Sequence, residues 1–414
     1  MRVLVLSLVG LLAAHHPARA QLAANQAAID LVKSGKIDVA RASWWGFDPE
    51  DSTDALQAAI NSGVKTLIVE NLGKPWVVRP ITLASSQQII FEYGVQVVAK
   101  RGEFKGKSDS LFSAANKHDI SLIGYGATFR MHRDDYAGPE YQKAEWRMAL
   151  AIRSCSNVKV YGLTLAESGG DGIYLGVATK GVTNTNVHIK DVVCDRNYRQ
   201  GISVISAENL LIENTVLSGT GGTAPQAGID FEPNHADEKL ANIVLRNCTS
   251  RGNAGPGYLF FLRPLKAASE PVSIRLENCL STNDAACSVF VKTGDSAQSA
   301  VKGTIEFVGC TFDSGKAGGI QLSGNAGGAC KMRFVNCVLD NAVRDRPDVS
   351  PVMIDGPAQG IEFVDLIVRD PLERSPIRHL GFAGGAPPEA VTGTVVMERG
   401  GKRDRIKITP ERLL

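Results

Sequence analysis

The sequence predicts an all-β fold, a solenoid in which every turn is one coil of a parallel β-helix, and three observations carry that expectation. First, a short alternating strand, usually led by glycine, recurs as DGIYLG (Asp171 to Gly176), QGISVI (Gln200 to Ile205), AGIDFE (Ala227 to Glu232), PGYLFF (Pro256 to Phe261), AACSVFV (Ala285 to Val291) and GGIQLS (Gly318 to Ser323). Second, a β-branched partner strand recurs beside it, as in VHIKDVVC, LLIENTVL, IVLRNCTS, VSIRLENCLS, TIEFVGCTF, MRFVNCVL and IEFVDLIV. Third, Asp191, Asn214, Asn247, Asn278, Gly309, Asn336 and Asp365 follow one another at steps of 23 to 33 residues, with Cys248, Cys279, Cys310 and Cys337 each one position later. A ladder of that kind makes sense when successive turns stack. Propeller blades need a longer period and four strands, and the β-branched alternation excludes a helical repeat.

In chain order, Arg2, an apolar run from Val3 to Ala14 and the small residues Ala18-Arg19-Ala20 have the layout of a secretory signal, with cleavage expected after Ala20. That run is short for a bilayer, and no later stretch approaches eighteen consecutive apolar residues, so a secreted or periplasmic protein without a membrane span is expected. Residues 21–63 read as an N-terminal helical cap. Asp51, Ser52 or Thr53 offers the helix start, Ala55, Leu56, Ala59 and Ile60 fall at helical spacing, and Gly63 is the stop. KTLIVE, PWVVRPITL, QQIIFEYGVQVVAK and HDISLIGYGATFRM then read as strands, opening a β-helix expected over residues 64–370. Residues 371–414 differ: a Pro- and Gly-rich stretch precedes two strand-like runs about Gly400-Gly401, read as a hairpin.

A formal charge of +2 argues against general nucleic-acid binding. All eight cysteines follow the expected signal, with no C-x-x-C pair and no histidine spacing that suggests zinc. The four laddered ones read as buried apolar fillers, with a bridge through Cys287 or Cys330 left open.

One rung departs from the rest. AGIDFEPN places Asp230 and Glu232 two residues apart on a strand, and such positions share a face. With Ile229 and Phe231 in the core, both acids are expected outside it together. Stacked in register, the neighbouring strands and loops are expected to bring Asp171, Asp195, Arg196, Arg199, Tyr258 and Arg263 to the same side, with Tyr174 and His235 beside them. One acid kept protonated while its partner acts as base or nucleophile is the requirement of glycoside hydrolysis. Asn214, Asn247, Asn278 and Asn336 read as turn or ladder residues, and Trp146 sits in a long insertion able to overhang the groove.

On the repeat itself, and on the helix DSTDALQAAI followed by the strand KTLIVE, the chain resembles the right-handed parallel β-helix superfamily of pectin-lyase-like proteins over roughly residues 40 to 370. The resemblance implies a single-stranded right-handed parallel β-helix and polysaccharide chemistry. Its polygalacturonase-like hydrolases carry several aspartates on adjacent coils with a downstream histidine, and this chain lacks their Gly-His-Gly. Its lyases use calcium-binding acids with an Arg or Lys base, for which Arg199 is the nearest candidate. Its alginate epimerases carry Asp-Pro-His, where this chain has Asp230-Phe231-Glu232-Pro233-Asn234-His235.

The expectation is therefore a secreted glycoside hydrolase acting as a monomer on a polysaccharide or oligosaccharide, without a metal. Asp230, Glu232, Asp171 and Asp195 are the catalytic candidates, and Arg196, Arg199, Tyr174, Tyr258, Arg263 and His235 the substrate-binding ones. A lyase or epimerase on a uronic acid polymer, which would call for calcium in the lyase case, is the alternative. A non-enzymatic β-helix adhesin is the third.

Overall fold

A strand of three or four residues with one apolar face cannot bury that face alone, so each coil needs its neighbours. The computed structural model describes residues 21–408 apart from residues 314, 316, 317, 342, 344, 345, 358 and 381–390. The expected signal at residues 1–20 lies outside the described residues. What they form is an all-β parallel solenoid of about 12 turns, with a 24-stranded sheet and an 11-stranded sheet.

The glycine-led strands make up the smaller sheet. Ile173, Ile202, Ile229, Tyr258 and Val289 stand in one parallel register column, and Leu175, Val204, Phe231, Phe260 and Val291 in another. Both columns point into the solenoid and belong to one continuous apolar core. Aromatic rings continue the stacking inside it: Phe231 lies on Phe260 with centroids 4.9 Å apart, and Phe307 on Phe334 at 4.6 Å. The columns between them, Tyr174, Ser203, Asp230, Leu259 and Phe290, face away from the core.

Coil corners follow the Asn and Cys ladders. Asn214, Asn247, Asn278 and Asn336 all have φ near +50°, at 49°, 53°, 52° and 52°, in the left-handed region that Asn tolerates best after Gly. Asn214 donates to Asp191 at 3.0 Å and Asn247 to Asn214 at 3.3 Å, so these two corner side chains are each paired with the coil before. The next position turns inward, where the Cys248 thiol donates to Ile212 O at 3.4 Å and the Cys337 thiol to Phe307 O at 3.4 Å. All eight cysteines are buried and free.

Two α-helices, Gln26–Lys33 and Thr53–Asn61, are the only ones among the described residues. Their buried Val32, Leu56, Ala59 and Ile60 join the solenoid core instead of forming a separate unit. The second helix starts where Asp51 Oδ1 accepts from Thr53 N at 3.0 Å, and it stops at Asn61, two residues before Gly63. The parallel ladder is longer than the sequence suggested. It begins at Val39–Arg41, paired with the strand Thr66–Val69, and it continues beyond residue 370 through Ile377–Leu380 and Val391–Arg399. Val391–Arg399 also pairs antiparallel with Lys402–Lys407 about Gly400-Gly401. No helix among the described residues is long and apolar enough to cross a membrane.

Candidate active site

The strand Ile229–Phe231 puts Ile229 and Phe231 into the core and turns Asp230 outward, with Glu232 just past its end. Outward does not mean exposed here: Asp230 is fully buried. Gln200, one coil earlier, donates Nε2 to Asp230 Oδ2 at 2.8 Å while its own Oε1 accepts from Ala227 N at 2.9 Å. The other oxygen, Oδ1, meets no donor among the described residues. Burial, and then the adjacent Glu232 carboxyl that hydrogen-bonds with it, push the Asp230 pKa well above the usual aspartate value, with Arg199 pulling the other way. A carboxyl that keeps its proton supplies the missing donor itself, and Glu232 is the acceptor beside it.

Glu232 is held by a charge-assisted bond from Arg199 Nη2 at 2.7 Å, and its side chain keeps 25 % of its exposure. Burial alone would weaken the Arg199 guanidinium, but Asp171 and Glu232 outweigh it and hold Arg199 more firmly protonated than an ordinary arginine. Asp171 is also fully buried, and burial drives its pKa up to about 7 against the opposing pull of Arg199 and the Ser203 hydroxyl. Ser203 faces Asp171, yet neither Asp171 oxygen nor Ser203 Oγ closes a hydrogen bond of good geometry among the described residues. Unpaired acids of this kind in the interior are costly, and they cluster where a site is being prepared for chemistry.

The cover over these acids comes from residues 132–148, which leave the solenoid as an insertion. Arg147 is fully buried there, donating Nε to Phe104 O at 2.7 Å and Nη2 to Gln142 O at 2.6 Å, with its guanidinium 5.4 Å and 5.7 Å from the Tyr136 and Tyr141 ring centroids. Thus pinned, the backbone of residues 145–148 lies directly on Gly170, where a β-carbon would come within 2.7 Å of Glu145 O. Only glycine fits under it. Met148 Sδ, the thioether sulfur, accepts from Asp171 N at 3.1 Å, and Glu145 reaches Arg199 Nε at 3.7 Å.

Other sequence candidates lie elsewhere. Tyr174 is part-buried under the Arg153 guanidinium, 5.1 Å from its centroid, and its ring lies over Gly176, where a β-carbon would sit 2.0 Å from it. With Val177, Lys180, Asn234 and His235 it lines an open cleft of about 340 Å³, whose loop is held by Glu238 accepting from His235 N at 2.9 Å. Asp195 and Arg196 do not join Asp230. Arg196 pairs with Asp195 at 2.5 Å and Glu167 at 2.6 Å, in a charged cleft shared with Arg101, His132 and Arg133. Tyr258 must be corrected outright. It falls in the inward column of Ile229, is fully buried, and donates its hydroxyl to Leu280 O at 2.9 Å, so it cannot form a sugar platform. Arg263 faces Asp295 at 3.5 Å across the surface instead of the acid cluster. The sequence reading missed Gln200, and it missed Glu145 because an insertion shares no period with the repeat that it covers.

Comparison with known proteins finds likeness in the fold. Residues 149–339 match the family described as right handed beta helix region. Among curated proteins, an uncharacterized protein YclG of Bacillus subtilis (strain 168) is 29 % identical over 157 residues, 35 % of this chain and 27 % of that protein. The chain thus matches about a quarter of the length of that relative. The A-module of mannuronan C-5 epimerase AlgE4 from Azotobacter vinelandii is similar in structure, with a TM-score of 0.61 at 12 % identity over 87 % of this chain and 94 % of that one. So are the tailspike protein of E. coli bacteriophage HK620 in complex with pentasaccharide (0.60, 13 %, 86 % and 65 %) and PfbA, a surface adhesin of Streptococcus pneumoniae (0.56, 12 %, 90 % and 96 %). At such identities the likeness is one of fold.

Proposed function

We propose that this right-handed parallel β-helix is an exported glycoside hydrolase acting on a polysaccharide along the outer face of the smaller sheet. Its proton would be supplied by the Asp230–Glu232 pair. The observation that carries this reading is the contact between the two carboxyls, one sealed and inclined to hold a proton, the other ion-paired and open to solvent. Two acids in contact share one proton and release it in steps that belong to the pair. Glu232 is the member that a sugar can touch, so the shared proton reaches the leaving oxygen through it, with Asp230 behind it as the proton's store. Arg199 fixes the Glu232 carboxylate in place. Because its neighbours hold Arg199 protonated, it is poorly suited to the proton-acceptor role that a lyase would ask of it. This chemistry runs on carboxyls and water, and the cleft lined by Tyr174 and by Asn234 and His235, on the loop that follows Glu232, offers a ring face and polar groups to a neighbouring sugar unit.

The test is incubation of the exported chain with polygalacturonate, alginate, xylan and mixed-linkage β-glucan, following reducing ends and the absorbance of unsaturated products in parallel. New reducing ends without unsaturation are expected on at least one polymer. Unsaturated products would replace the hydrolase by a lyase, and no cleavage of any of them would favour a binding role.

A further inference from the structure

We infer that Glu145 is the second reacting carboxylate of this site, acting as the base opposite the Asp230–Glu232 pair. The inference rests on the hydrolase reading above and adds to it a residue from outside the repeat. Of the acids around Arg199, Asp171 and Asp230 have no contact with solvent. Glu145 and Glu232 do, with side chains 32 % and 25 % exposed. These are the two that a sugar laid on the sheet can reach.

Their positions are set by one guanidinium. Arg199 Nε lies 3.7 Å from Glu145 Oε1, and its Nη2 lies 2.7 Å from Glu232 Oε2. Since both contacts are to nitrogens of one planar fork, the two oxygens are at most about 9 Å apart, a limit that falls inside the spacing of an acid and base with a water between them. Acid and base of an inverting glycosidase stand roughly 6.5–9.5 Å apart, which leaves room for a water. The backbone that carries Glu145 is rigid, since Arg147 ties it to Phe104 and Gln142 and residues 145–148 rest on Gly170. A base must be held in place, and this one is held through its backbone, its carboxylate meeting Arg199 as a 3.7 Å ion pair without a hydrogen bond.

A water beside Glu145 gives a proton to its carboxylate while the water oxygen forms a bond to the anomeric carbon. The bond from that carbon to the leaving sugar breaks, its electron pair goes to the leaving oxygen, and that oxygen takes the proton from Glu232. That proton is the one the Asp230–Glu232 pair shares, passed from Asp230 to Glu232; afterwards Glu145 gives the proton it took to solvent, and solvent returns one to the pair through Glu232, its exposed member. Attack from the side opposite the leaving group inverts the anomeric configuration.

The experiment measures Glu145→Gln, Glu145→Asp and Glu232→Gln in the full chain on whichever of polygalacturonate, alginate, xylan or mixed-linkage β-glucan the wild type cleaves, with thermal melts as a folding control. Glu145→Gln is expected to lower kcat about 10²-fold or more with little change in KM. It should also remove the acidic limb of the pH–rate profile, where a base is lost to protonation, and Glu145→Asp should restore part of both. The first-formed wild-type product, read by NMR, should have the inverted anomer. If Glu232→Gln is inactive while Glu145→Gln keeps both its kcat and its acidic limb, the inference falls and the hydrolase reading stands. A retained anomer also overturns it. If neither variant matters, or the wild type cleaves none of the four, both fall together.

Discussion

Glu232→Gln is expected to lower turnover roughly 10²- to 10⁴-fold, the range that a positioned proton donor contributes, while leaving the fold intact. The amide keeps the size and planarity of the carboxyl and can still meet Arg199, but it cannot pass a proton on. Glu232 lies beyond the end of its strand and is not part of the apolar core, so its replacement opens no cavity. The charge lost is the one that Arg199 neutralises at 2.7 Å, which leaves Glu145 as the carboxylate ion-paired with Arg199. Steady-state kinetics on the cleaved polymer, with a melting curve beside it, separates the two effects: kcat should collapse and the melting temperature should move little. Activity within a few-fold of wild type would remove Glu232 from the chemistry.

Arg199→Ala is expected to be the most destabilising single change in the site, at about 3–5 kcal/mol, because removing one partner of a buried ion pair strands the other. The Arg199 side chain is only 12 % exposed and sits between Glu145 and Glu232, and it also opposes the upward push on Asp171 and Asp230. Without it, carboxylates are left facing one another in a poorly solvated space. The loss should therefore be smaller when Glu232→Gln is already present, and the coupling appears in a double-mutant cycle of denaturant unfolding. Arg199→Lys should recover only part of the stability, since a point charge cannot bridge two carboxylates as a planar fork does. A cost below about 1 kcal/mol for Arg199→Ala, the level of an exposed pair, would mean that the bridge contributes little.

The solenoid was legible because its physics repeats. Each coil restates the same demand for an inward β-branched residue, a left-handed corner and a thiol or small group behind it, so Asn247, Cys248 and their counterparts report the stacking even though single strands are ambiguous. Local periodicity also places Ile229 and Phe231 inside and Asp230 outside. It places Tyr258 inside as well, through the column of Ile173 and Ile229, and reading that tyrosine as a platform went against the alternation itself. Burial of the outward column was not legible. Asp230 looks solvated on its strand, yet Gln200 of the coil before it bonds to it, and the insertion at residues 132–148 lies on Asp171 beside it. Those contacts cross long stretches of chain and carry no period. Asp195 and Arg196 show the same limit. A turn residue's side can be guessed from a repeat, but its partner cannot, and Arg196 turns to Glu167 and Asp195 instead of to the acids.

Proton retention in the acid cluster is the central claim, and it has a sign in stability as well as in chemistry. A buried aspartate with a raised pKa stabilises the fold fully below its unfolded value near 3.8, and that contribution is lost as pH rises through the folded value, about 7 for Asp171. The most direct measurement is a carbon-13 NMR titration of the side-chain carboxyls in the wild type, Asp171→Asn and Asp230→Asn. The account predicts a carboxyl that ionises near about 7 and disappears in Asp171→Asn. It also predicts a second carboxyl, still protonated well above the ordinary aspartate range and absent in Asp230→Asn. Ionisation of every carboxyl in the cluster within the usual range, near about 4, would contradict it.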